Sequence, residues 1–175
     1  MEDRAIVARQ LGRSPRAFRR VVARCAFGLP AVTEQSPYDS EGEPFPTTYY
    51  VTCPHLVAAI ARLEAAGAVE RWSRTAGEEP ELVESLERAT DEQRRLRRDL
   101  AGPQRGSDDG ASLGLGIGGS RSPEHLKCLH AHVAYALARP GYELGERILD
   151  EVDEPWPAAR CCSEALRGDD YSHDS

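Results

Sequence analysis

Asparagine is absent from this 175-residue chain, methionine occurs only as Met1, and lysine occurs once, at Lys127, against 21 arginines. A bias towards GC-rich codons produces that pattern. No apolar run approaches the roughly 20 residues that a membrane-spanning helix needs. The opening residues, MEDRAIVARQ, lack the apolar stretch of a signal peptide. These absences point to a cytoplasmic protein without a membrane partner. There is also no Cys-x-x-Cys knuckle, the spacing that would mark a local zinc site. The five cysteines are an odd number, and in a reducing compartment they are free, metal-bound or reactive rather than paired as disulfides.

Acidic residues outnumber basic ones, 29 to 22. The formal net charge is −7, which argues against a dedicated nucleic-acid binder, because phosphate neutralisation dominates such affinity. The charge is nevertheless polarised. Residues 1–30 carry seven Arg against Glu2 and Asp3, and the tail from Glu143 carries ten acids against three Arg. With 40% hydrophobic residues, the length suits one domain with a real core.

The most structured stretch is Phe45–Gly67. Thr47, Thr48, Tyr49, Tyr50, Val51 and Thr52 are β-branched or aromatic and predict a strand. Pro54 suits a first helical position, and Leu56, Ile60 and Leu63 follow at helical spacing until Gly67. Cys53 stands at that junction. Upstream, Asp3 is the expected cap of a short helix to Gln10, Arg16–Arg24 reads as a strand, and the FGLP turn leads to a return strand over Ala31–Gln35. A polar loop over Ser36–Pro46 precedes the third strand. Downstream, Glu78–Leu100 is the longest helical candidate, with Leu82, Leu86, Ala89, Leu96 and Leu100 as its apolar stripe. Residues 102–122 form a flexible Gly/Ser-rich loop. Its formal G-x-G-x-x-G match at Gly114, Gly116 and Gly119 is not preceded by a strand, so it is no dinucleotide signature. Ser122 and Pro123 open a helix that closes at Gly141, and a shorter helix runs over Tyr142–Asp150.

The chemistry resides in thiols and imidazoles. On the helix after Pro123, spacing places His125, Cys128 and His132 on one face, with His130 turned away. A Cys/His pair there chelates zinc if Cys25, Cys53 or Cys161 supplies the remaining ligands. Lys127 directly precedes Cys128, and its compact ammonium suits a thiolate or an anion. Arg13, Arg16, Arg19, Arg20 and Arg24 make a basic cluster that suits phosphate or an acidic partner, serves as the polar face of a strand, or pairs with the chain's own acidic tail.

The segments LGRSPR from Leu11, Cys25 with GLPAV after it, PFPTTYYVTCP over Pro44–Pro54, LEAAG, PEL near Pro80 and KCLHAHVAYALA over Lys127–Ala138 together resemble the bacterial domain of unknown function 501 family. The resemblance covers most of residues 5–150. It implies no particular activity or cofactor, but it marks Cys25, Cys53, Lys127, Cys128 and His130 as motif positions, with Trp156 and Cys161 as the usual tail. Phe27 stands where the family often has a second Cys, and Ser120–Pro123 replaces a GGMP. Helical spacing selects His132 as the companion of Cys128, and the motif selects His130.

The expectation is an α+β fold: a small three-stranded antiparallel sheet packed by three to five helices, forming a single domain over residues 3–160 with a disordered acidic tail over 161–175. Its metal ligands are drawn from Cys25, Cys53, Cys128, His130 and Cys161, holding zinc or, with four thiolates, an iron–sulfur cluster. Arg13, Arg16 and Lys127 are the anion-binding candidates. Three functions fit: a binding or regulatory protein with this metal site, a thiol-dependent enzyme using Cys128 with Lys127 or His130, and an interaction protein holding an anionic or protein partner through Arg13–Arg24.

Overall fold

The central strand organises the fold, in a computed structural model that describes residues 2–122 and 124–163. Strands β1 (Phe18–Arg24), β2 (Pro30–Gln35) and β3 (Tyr49–Val51) form an antiparallel sheet in the order β1-β2-β3. Every residue of β2 is buried, as befits a strand paired on both sides and packed on its faces. Val32 pairs with Val51 and Thr33 with Tyr50, while the β1–β2 ladder carries register shifts on either side of Val21. Among the described residues six α-helices accompany the sheet: α1 (Asp3–Leu11), α2 (Pro54–Ala65), α3 (Ala68–Glu78), α4 (Pro80–Ala101), α5 (Leu129–Ala138) and α6 (Glu143–Glu151). The fold is α+β, and no helix among the described residues is long and apolar enough to cross a membrane.

Helix α3 was not legible in the chain. Gly67, read as the end of one helix, takes φ 83° and serves as the N-cap of the next, so one left-handed residue turns the chain between two helices. Helix α4 follows the expected period with a shifted stripe. Leu82, Leu86 and Ala89 are buried as expected, but Gln93, Arg97 and Ala101 continue the buried face, and Leu96 and Leu100 lie at its margin. The reason is polar. Arg97, fully buried, donates to the Ser112 and Phe45 carbonyls and to Thr48 Oγ1, and Gln93 donates to the Leu115 carbonyl. These loops expose backbone acceptors to the helix, and only donors satisfy them. Asp3 does not cap α1; it lies in the first turn, 2.7 Å from Arg24.

Helix α5 crosses the sheet, with Tyr135 edge-on to Tyr49 at 5.4 Å between ring centroids. It packs against α6 through Tyr142 and Gly145. The Gly/Ser-rich loop before α5 holds two 3-10 turns, Ala111–Gly114 and Ile117–Gly119, that bury Leu113 and Ile117. The largest departure from the expected elements is at the start of α5. The helix begins at Leu129 rather than at Pro123, with Cys128 as N-cap in an extended conformation (φ −158°, ψ 156°). Pro123 and the acidic tail over residues 164–175 lie outside the described residues.

Candidate functional site

The late start of α5 decides which groups meet. With Cys128 in extended backbone, the helical spacing that joined it to His125 and His132 does not apply, and His130 in the first turn is its neighbour. Helix α2 supplies the third group. Glu64 Oε1 accepts from the Leu129 N–H at 2.7 Å and lies 3.1 Å from His130 Nδ1. His130 Nε2 is 3.2 Å from the Val57 carbonyl oxygen, also on α2. Glu64, Cys128 and His130 each offer a donor atom within 4.8 Å of the other two, the one such group of three among the described residues. All three are partly exposed. Cys128 and His130 open onto a cavity of about 300 Å³ walled by Tyr49, Tyr50, Val51 and Val57. Clefts of about 400 and 440 Å³ elsewhere on the helices hold neither Cys nor His.

Burial pushes the Cys128 thiol up, and the Glu64 carboxylate adds to the shift; the backbone N–H groups of Ala131 and His130 and the Lys127 ammonium draw it back. His132 is elsewhere. It is 2% exposed, 2.7 Å from the Tyr142 hydroxyl, and burial pushes its imidazole down to about 4. It is a core residue of the α5–α6 contact.

The remaining thiols form two contacts. Cys25 Sγ lies 3.6 Å from Cys161 Sγ, and Cys53 Sγ lies 3.9 Å from Cys162 Sγ. Cys25, Cys53 and Cys161 therefore meet one another's neighbourhood through the vicinal Cys161–Cys162 pair, while Cys128 sits with Glu64 and His130. Burial pushes Cys53 up to about 12 and Cys161 up to about 11.

The basic cluster is matched by nearby acids. Arg16 pairs with Asp39, Arg19 and Arg20 share the buried Glu34, and Arg24 pairs with Asp3. Arg13 and Lys127 are exposed.

Two site residues escaped the reading of the chain. Glu64 left one signal: a carboxylate in the last turn of α2 opposes the helix dipole, so a partner outside the helix is what repays it. Cys162 left only its adjacency to Cys161.

The family described as Protein of unknown function (DUF501) matches residues 21–150. The chain belongs to the DUF501 family. That span includes Cys25, Cys53, Glu64, Cys128 and His130, so the Glu/Cys/His group lies wholly within it, whereas Cys161 and Cys162 lie beyond it. No curated protein and no solved structure matches the chain.

Proposed function

We propose that this DUF501 protein is a cytoplasmic metal-binding protein whose Glu64, Cys128 and His130 hold a divalent ion of the zinc class, with a fourth position facing the cavity beside Tyr49 and Tyr50. The observation that carries this reading is the 3.1 Å between His130 Nδ1 and Glu64 Oε1 together with the placement of Nε2 against the Val57 carbonyl. Two donors about 2.0–2.1 Å from one zinc ion are 3.1 Å apart when they subtend roughly 100°, close to tetrahedral. An Nε2–H donated to a backbone carbonyl leaves the Nδ1 lone pair for the metal, the usual outer-shell arrangement of a ligating histidine. The Leu129 N–H orients the carboxylate in the same way. Thiolate, carboxylate and neutral imidazole together balance a dication, and three protein ligands beside a cavity describe an open, ligand-accepting site rather than a closed structural one.

A second reading gains support from Glu64. A thiol enzyme needs a nucleophile, a base and a group that orients the base, and the carboxylate beside His130 is that third group. It ranks lower because the base must face the nucleophile, and His130 sets Nδ1 against Glu64 and Nε2 against the Val57 carbonyl.

The test is zinc stoichiometry of reduced, chelator-treated protein, comparing the unaltered chain with Cys128→Ser and Glu64→Gln. Each variant is expected to lose one bound equivalent. Unchanged stoichiometry would overturn the metal reading, and selective fast alkylation of Cys128 in metal-free protein would favour the enzyme.

A further inference from the structure

Cys25, Cys53, Cys161 and Cys162 share no residue with the Glu64–Cys128–His130 group, and their placement needs its own account. Cys25 follows β1 and donates its N–H to the Leu29 carbonyl at 2.9 Å; Cys53 follows β3 and donates its N–H to the Ala31 carbonyl at 3.4 Å. The main chain of the two residues therefore flanks the entry of β2, Cys25 on the β1 side and Cys53 on the β3 side. The chain returns there 109 residues after Cys53 with two adjacent cysteines, one set against each. Gln10 fastens the return, since its Nε2 donates to both the Pro30 carbonyl and Ser163 Oγ.

We propose that Cys25, Cys53, Cys161 and Cys162 form a second, all-sulfur site for a thiophilic divalent cation of the zinc class, tying the 161–162 turn to the entry of the sheet. Sulfurs bound at about 2.3 Å around a tetrahedral ion are separated by roughly 3.8 Å along each edge, and the two contacts measure 3.6 and 3.9 Å. Burial raises the free thiols, and local backbone groups and a cation offset it. The Ser163 N–H donates to Cys161 Sγ at 3.4 Å, and Cys53 is the N-cap of the 12-residue α2, where the helix dipole favours negative charge. Buried N–H···S contacts of this kind are what tune a metal-bound sulfur. The four thiols are two assembled halves rather than a closed tetrahedron, since they include no three donors within 4.8 Å of one another. One peptide bond joins the halves, and Cys162, the exposed member, is the one that swings in on the cation.

The experiment uses the full chain carrying Cys128→Ser, reduced and freed of metal, titrated with Co(II). One equivalent is expected to bind with thiolate-to-cobalt charge-transfer and tetrahedral d–d absorption, and Zn(II) should displace it. Adding Cys162→Ser should weaken cobalt binding by at least about tenfold, as loss of a ligand costs no less than loss of an outer-shell partner. Absence of the charge-transfer band in the Cys128→Ser protein overturns the proposal, as does an identical titration with Cys162→Ser. Should that variant fail to fold, alkylation of Cys162 in the Cys128→Ser protein decides the matter instead: zinc is expected to slow it at least tenfold, and an unchanged rate overturns the site. Recovery of Cys25–Cys161 and Cys53–Cys162 disulfides from protein kept under zinc would also overturn it. The two sites fail separately. Loss of this one leaves a single equivalent that Cys128→Ser abolishes, whereas loss of the cavity site leaves a stoichiometry that Cys128→Ser does not change.

Discussion

Gly145 and Gly77 both lie within helices, yet replacing each with Ala is expected to move stability in opposite directions. By propensity alone, Gly→Ala in a helix interior gains about 1 kcal/mol. At Gly77, the next-to-last residue of α3, a Cβ meets nothing within 4 Å, so part of that gain should be realised. At Gly145 the same Cβ would stand 2.5 Å from the His132 carbonyl oxygen, 2.6 Å from Tyr142 Cδ1 and 2.8 Å from Ala136 Cβ. The first of these is backbone and cannot rotate away, so α6 must draw back from α5 by roughly 1 Å, at an overpacking cost of about 1–3 kcal/mol. Because the contact is with main chain, the upper half of that range applies, and the net loss after the propensity gain is about 1–2 kcal/mol. Urea unfolding reads the difference directly: the midpoint should fall for Gly145→Ala and rise for Gly77→Ala, with m unchanged in both. A Gly145→Ala midpoint at or above that of the unaltered chain, with the same m, would refute the close α5–α6 approach.

Acid should weaken the fold through His132. Its folded pKa of about 4 lies below the ordinary value near 6.5, so the unfolded chain binds the extra proton between them; the contribution is complete above pH 6.5 and lost as pH falls towards 4, on the order of 3 kcal/mol in all. Urea unfolding at pH 7 and pH 4.5 should show a smaller difference in His132→Gln than in the unaltered chain, and equal slopes would refute the assignment. Arg97→Met should cost about 2–3 kcal/mol in thermal unfolding by stranding the Ser112, Phe45 and Thr48 acceptors. Arg97→Lys should not restore it, because an ammonium cannot span those acceptors as a guanidinium does. Glu64→Ala should cost about 1 kcal/mol in metal-free protein through loss of the acceptor for the Leu129 N–H, whereas Glu64→Gln should retain most of that stability; equal stability of all three metal-free chains would show that the cap does not hold α5.

Local chemistry alone determined the elements with strong periodicity. The run of β-branched and aromatic residues before Cys53 and the Pro54 that follows it are a strand and a helix because side-chain stiffness and a missing N–H act over a few residues, whatever lies beyond them. The same holds for the hairpin of β1 and β2 and for the length of α4. Only tertiary structure decided where α5 begins. Its first free N–H, on Leu129, is satisfied by Glu64, 65 residues earlier, so neither Ser122 nor Pro123 marks the start. That shift turned Cys128 out of the helical pattern and brought His130, not His132, to its side. It was likewise tertiary contact that buried Arg97 where periodicity suggested Leu96, and that set Cys161 beside Cys25 and Cys162 beside Cys53. A helix period reports which face is buried but not which polar groups wait on the other side, and that complement is written in residues far away along the chain.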